Sequence, residues 1–260
     1  MTKISTSKYQ AELARLYSLQ DQICHDPYLH AHSRNTAVIR RQVSIFERCQ
    51  DVIARSRTFL DWGCRHAADA CMVRLLCGPE VRLYGCDVDP PKYQAFYDFA
   101  GLEYAQLSHP FQLPYEDNFF DVVIGSGVLE HVPLDFESLK ELYRIVKPEG
   151  HLIVTMLPNR HSYTEWLNRT LKNPHHLRMY SLGEARHMLI HHGFLPVRYG
   201  YHQVLPTLSS LNGGIFDHPL ANKFAESVFD LNGILERTWP INKFSTNIFV
   251  IGKKVEAFHG

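Results

Sequence analysis

Long apolar runs are missing from this chain: no stretch approaches the ~18 consecutive apolar residues that a membrane span needs. The start, MTKISTSKYQ, also lacks the basic segment and apolar run of a secretory signal. An excess of either charge is missing too. Lys+Arg and Asp+Glu each total 27 and neither sign gathers in a block, which argues against a nucleic-acid groove or a polybasic membrane patch. Six cysteines (Cys24, Cys49, Cys64, Cys71, Cys77, Cys86) form no C-x-x-C pair and read as reduced, buried thiols, so a soluble cytoplasmic chain is expected. Sixteen histidines include the pairs His175–His176 and His191–His192, yet no H-E-x-x-H or Cys/His ligand spacing accompanies them. No metal is expected. Internal repeats and low-complexity segments are absent as well. What remains is a chain of 260 residues, 45% hydrophobic and 21% charged, able to bury the core of one ordinary domain.

The first sixty residues read as helical, with Ile39, Val43, Phe46, Cys49 and Ile53 recurring at spacings of three and four behind an Asn35-Thr36 start signal. From residue 57 short apolar runs alternate with segments of helical length: RTFLD, then 66–77; VRLYGCD, then 90–99; LEYAQL; FFDVVIGS, then 135–146; HLIVTML, then 160–171 and 181–192; and FLPVRYGY. Such alternation builds an α/β, doubly wound, mostly parallel sheet with helices on both faces. The organisation expected is a helical cover over 1–56 and a domain over 57–260, with a lid insertion at about 205–243 ahead of a closing strand, STNIFVIGKK.

Open sheets of this kind bind ligands beyond the carboxyl ends of their strands. One end is F-L-D-W-G-C-R-H-A at 59–67, where a strand ends in Asp61 and turns at Gly63. The next is L-Y-G-C-D-V-D-P at 83–90, ending in Asp87, whose carboxylate can accept two hydrogen bonds from a ribose diol. These two sites fit any adenosine cofactor. The runs L-P-Y-E-D-N-F-F-D-V-V-I-G-S-G-V-L-E-H-V (113–132) and L-K-E-L-Y-R-I-V-K-P-E-G-H-L-I-V-T (139–155) narrow the choice. With them, residues 57–157 resemble the class I S-adenosylmethionine-dependent methyltransferases, in the group with the type 11 methyltransferase domain. H-L-R-M-Y-S (176–181) and H-G-F (192–194) extend the resemblance more weakly.

The resemblance implies a Rossmann-like seven-stranded sheet with its last strand antiparallel, and S-adenosyl-L-methionine as cofactor. It implies that Asp61, Gly63, Cys64 and Arg65 form the first cofactor motif, and that Asp87 binds the ribose with Val88 beside the adenine. His109 and Pro110, in the loop before L-P-Y, flank the adenine, and Ser126 and Gly127 line the floor under the sulfonium. Three positions depart from the family pattern. Arg65 and Ala67 replace the second and third glycines of D-x-G-x-G-x-G, so the Arg65 side chain either turns outward or pairs with the methionine carboxylate. His109 stands where many members carry an Asp that accepts from the adenine amino group.

Transfer from a sulfonium is mostly a matter of positioning, with a base needed for an oxygen or nitrogen acceptor. The base candidates are His131, in V-L-E-H-V, and His161 and Tyr163, in P-N-R-H-S-Y-T-E-W; His202 is an alternative. Against them stands a structural reading. Glu130 and His131 then cap and anchor their turn, Asn159 or Ser162 caps a helix start, and His176 and Arg178 pack a helix entry. The segments 1–56 and 205–243 contribute His30, His32, Arg34, Tyr201, Phe216, His218 and Trp239, a mixture suited to a small polar acceptor such as a sugar or glycan, or simply to packing. A non-catalytic binding protein on the same fold is the alternative, motivated by Arg65, Ala67 and His109. A nicotinamide-dependent dehydrogenase lacks its three-glycine fingerprint here and leaves the 113–132 run unexplained. The oligomeric state stays open.

Overall fold

The computed structural model describes residues 6–23, 29, 36–170, 176, 178–205 and 231–255. Among the described residues the helices α1 (Thr6–Ile23), α2 (Thr36–Glu47) and the short α3 (Gln50–Ile53) precede the sheet. In α1, Tyr9, Leu13, Leu16 and Tyr17 are all essentially inaccessible, the spacing of one buried helix face. The sheet follows as β1 (Thr58–Trp62), α4 (Ala68–Cys77), β2 (Arg82–Asp87), α5 (Gln94–Ala100), β3 (Leu102–Gln106), β4 (Phe120–Ser126), α6 (Asp135–Ile145), β5 (Val146–Pro158), α7 (Tyr163–Thr170), α8 (Leu182–His191), β6 (Phe194–His202) and β7 (Asn247–Lys254).

Seven strands lie in the order β3-β2-β1-β4-β5-β7-β6. Neighbours pair in parallel from β3 across to β5, and β7 runs antiparallel to both β5 and β6. Alternation along each strand divides the core in two. Phe59, Val122, Ile124 and Ile153 face the α1, α2, α4 and α5 side, while Leu60, Val123, Leu152 and Val154 face the α6 and α8 side. Both faces are covered, which is why β1, β2 and β4 read as unbroken apolar runs.

Local chemistry sets the element ends. Ser181 Oγ accepts from the Glu184 amide (3.2 Å) while Glu184 Oε2 accepts from the Ser181 amide (2.7 Å), a capping box that starts α8. The helix expected from residue 160 begins at Tyr163, because Asn159 is held by the carbonyls of Lys243 (2.8 Å) and Ser245 (2.7 Å) and Ser162 Oγ accepts from the Glu165 amide. β5 starts earlier than HLIVTML, since Val146 already pairs with Phe120 and an irregularity between Phe120 and Val122 absorbs the K-P-E-G turn. The free thiols of Cys49, Cys64, Cys71 and Cys86 are buried. The expected lid falls largely on 206–230, outside the described residues, as do Cys24, His30, His32, Arg34, Phe216 and His218. Among the described residues no helix is long and apolar enough to cross a membrane.

Candidate active site

The strand order reverses between β1 and β4, and a crevice opens at their carboxyl ends, where such sheets take their ligands. A cavity of about 430 Å³ occupies it. Asp61, Gly63, Cys64, Arg65, Ser126, Gly127 and His131 line it, joined by Val38, Arg41 and Gln42 from α2 and by Asp69, Glu130, Met156 and His176.

The turn after β1 is fixed by backbone chemistry. The Gly63 amide donates to the Cys86 carbonyl (2.8 Å), and the Arg65 amide to Asp87 Oδ2 (2.8 Å). Gly63 has φ +67°, and a Cβ there would stand 2.6 Å from Val128 Cγ2, so the position admits only glycine. Arg65 (φ 42°) and Ala67 (φ 54°) hold left-handed backbone without being glycine. The chain therefore keeps the turn that the family's glycines make and bears its steric cost. Arg65 Nε donates to the Tyr93 hydroxyl (3.2 Å).

Two buried acids face this turn. Asp61 Oδ2 accepts from the Ala70 amide (3.2 Å), and burial, followed by the nearby charge of Asp69, holds its carboxyl well above the usual range. Burial raises Asp69 too, opposed by a hydrogen bond with Ser126. A cation brought into the cavity would stabilise both carboxylates. The residues present thus fit a cofactor with an ammonium and a sulfonium at its amino-acid end.

At the far end of β4 lies a second group. Glu130 has a side chain only 3% exposed, its Oε2 is buried with no hydrogen-bond partner, and burial pushes its carboxyl up to about 7. His131 Nε2 lies 3.7 Å from Glu130 Oε1. Burial and the neighbouring His176 lower the His131 pKa. His176 Nδ1 lies 2.9 Å from Glu165 Oε1, and that hydrogen bond raises the imidazole. Ligand atoms of Glu130, His131 and His176 fall within 4.8 Å of one another.

Other sequence candidates stand apart from the cavity. Val88 is exposed, and the His109 ring stacks near Phe111 at 5.8 Å, with Pro110 between them in sequence. His161 is exposed, Tyr163 is half-buried at the start of α7, and neither lines the cavity. Arg178 donates to the Val132 carbonyl (2.7 Å) and so anchors the turn after β4. His202 is buried 3.2 Å from Glu236, outside the cavity. Tyr201 packs at the edge of the core in β6, and Trp239 is exposed. Sequence reasoning missed Asp69 and Glu165. The signal for Asp69 was an acid on the otherwise apolar face of α4.

Residues 60–154 match the family described as "Methyltransferase domain". Over this stretch the chain is similar to a methyltransferase domain. Such domains take S-adenosyl-L-methionine as cofactor. It is 35% identical over 108 residues to a demethylmenaquinone methyltransferase of Geobacillus stearothermophilus, covering 38% of this chain and 44% of that protein. With the Streptomyces avermitilis demethylmenaquinone methyltransferase it is 39% identical over 66 residues, 23% of this chain and 29% of that one. The chain thus spans under half the length of these curated relatives. Among solved structures, an S-adenosylmethionine-dependent methyltransferase from Archaeoglobus fulgidus superposes with TM-score 0.55 at 20% identity, covering 81% of this chain and 92% of that one. The Burkholderia thailandensis 1,6-didemethyltoxoflavin-N1-methyltransferase, solved with S-adenosylhomocysteine, gives TM-score 0.55 at 13% identity, covering 98% and 93%. These two likenesses are of fold.

Proposed function

We propose that this chain transfers a methyl group from S-adenosylmethionine to a small-molecule acceptor seated between α2 and the end of β4. The observation that carries this reading is the cavity at the reversal of strand order, with buried Asp61 and Asp69 at one end and Glu130, His131 and His176 at the other. When bound, the cofactor supplies an activated methyl on a sulfonium. The Asp61 carboxylate would hold the cofactor's ammonium, and the backbone of Ser126 and Gly127 would form the floor beneath the reacting centre. Asp87, at the end of β2, would take the ribose hydroxyls, and Val88, His109 and Pro110 the adenine side. α1 and α2 would exclude water from above.

The curated relatives are named for demethylmenaquinone, and nothing in the comparisons supports the sugar or glycan considered from the sequence. A hydroquinone-like acceptor brings an acidic hydroxyl, and the Glu130–His131–His176 end collects the polar groups that would face it. The test is calorimetric titration with S-adenosylhomocysteine, then mass spectrometry of incubations with S-adenosylmethionine and a demethylated naphthoquinol. Micromolar binding and a gain of one methyl are expected. Binding without transfer to any phenolic or quinol acceptor would favour the non-catalytic alternative, and absence of binding would remove the reading altogether.

A further inference from the structure

We propose that Glu130, His131 and His176 form a site for a divalent first-row transition-metal ion at the acceptor end of the cavity, with Glu165 as its positioning residue. Two imidazoles and one carboxylate are a donor set that such ions take while keeping positions open for other ligands. The three residues come from two separated segments, the turn after β4 and the approach to α8, and both reach the same cavity.

Three observations point to an ion rather than to packing. Glu130 Oε2 is buried, carries no hydrogen-bond partner, and belongs to a side chain 3% exposed that lines the cavity. A residue that merely capped its turn would direct that oxygen to an amide. The second observation is the geometry: ligand atoms within 4.8 Å of one another, with the Glu130–His131 pair at 3.7 Å, are close enough to share one ion. The third is Glu165, itself nearly inaccessible, which lies 2.9 Å from His176 Nδ1. Donation from Nδ1 to a carboxylate leaves the Nε2 lone pair for a ligand, the arrangement that orients metal-binding histidines.

The role of the ion rests on the methyl-transfer reading, whereas its binding does not. Gly127 lies next to Glu130, since a Cβ on it would stand 3.7 Å from Glu130 Oε1, so the ion would sit beside the floor of the cofactor site. There it would lower the pKa of an acceptor hydroxyl. The O–H proton leaves to solvent water and the electron pair stays on oxygen. In an acceptor methylated on oxygen, that oxygen then bonds to the methyl carbon as the carbon–sulfur bond breaks, its pair going to sulfur.

The experiment is titration of the chelator-treated full chain with Zn²⁺ and Mn²⁺ by calorimetry, and with Co²⁺ by visible absorption. One ion per chain is expected. His176→Asn and Glu130→Gln should each weaken it at least tenfold and Glu165→Gln by a smaller factor. His192→Asn, outside the cluster, should leave it unchanged. Thermal melts confirm that each variant is folded, and His131→Asn replaces any that is not. Absent ion binding, or binding equal in parent and cluster variants, overturns the site. S-Adenosylhomocysteine is titrated in parallel: its loss with ion binding intact sinks the methyl-transfer reading alone, and the reverse sinks the ion site alone.

Discussion

The Arg65 amide donates to Asp87 Oδ2 at 2.8 Å, so the acid at the end of β2 clamps the left-handed turn that follows β1. One carboxylate thereby serves the scaffold as well as the ribose role proposed for it. Asp87→Ala should lower stability by about 1–3 kcal/mol, the cost of leaving a partly buried donor unmet. S-Adenosylhomocysteine affinity should also fall about tenfold or more. A chemical melt and a titration check the two effects separately, and unchanged affinity in a folded variant would leave Asp87 with the scaffold role only.

Arg65→Gly sets two effects of similar size against each other. Relief of the left-handed backbone is worth about 1–2 kcal/mol, and loss of the hydrogen bond to Tyr93 costs about 1 kcal/mol. Stability should therefore change little. Cofactor affinity decides what the side chain does: a fall of fivefold or more is expected if the guanidinium meets the methionine carboxylate, and a rise would mean that Arg65 obstructs the site.

Asp61 is held well above the ordinary carboxylate range by burial and then by Asp69. In the free protein such a group makes stability fall as pH rises above the usual carboxylate value, because the folded state retains the proton that the unfolded chain has lost. A bound ammonium reverses the preference. Affinity for S-adenosylhomocysteine should rise as the pH climbs above the ordinary carboxylate range, with release of a proton, measurable by calorimetry in buffers of different ionisation heat. Asp61→Asn should reduce the pH dependence to the part that Asp69 contributes and weaken binding by about 1.5–3 kcal/mol.

His202 is fully buried, and its desolvation outweighs the attraction of Glu236 and lowers its pKa. The folded chain keeps it neutral while the unfolded chain protonates it, so stability is lost as pH falls below the ordinary histidine value. Melts between pH 7.5 and 5.5 should show this slope, and His202→Asn should flatten it. An equal slope in the variant would assign the effect to another group.

Much of the sheet was legible because its strands are buried on both faces and its helices carry apolar stripes; RTFLD, VRLYGCD and FFDVVIGS fall on β1, β2 and β4. The first half of the cavity lining was legible for the same reason, since Asp61, Gly63 and Ser126 lie at or just beyond the ends of those strands. The other half was not. His176 meets Glu130 only through tertiary folding, and no local spacing announces that meeting. Asp69 was hidden as one acid in a helix, while His161 and Tyr163 do not line the cavity, because proximity to a strand end in sequence does not fix which way a turn faces.

β7 comes last of the seven strands yet lies between β5 and β6. β6 thus has no hydrogen-bonded neighbour in the sheet until β7 has been made. During synthesis, the half of the sheet from β3 to β5 can assemble from local parallel crossovers, but β6 must wait as an unpaired edge. That interval exposes a strand bearing Leu195, Val197 and Tyr199, all exposed even in the finished fold. The last step of folding is then the insertion of one strand into a gap, and aggregation during expression should depend on how quickly that insertion follows.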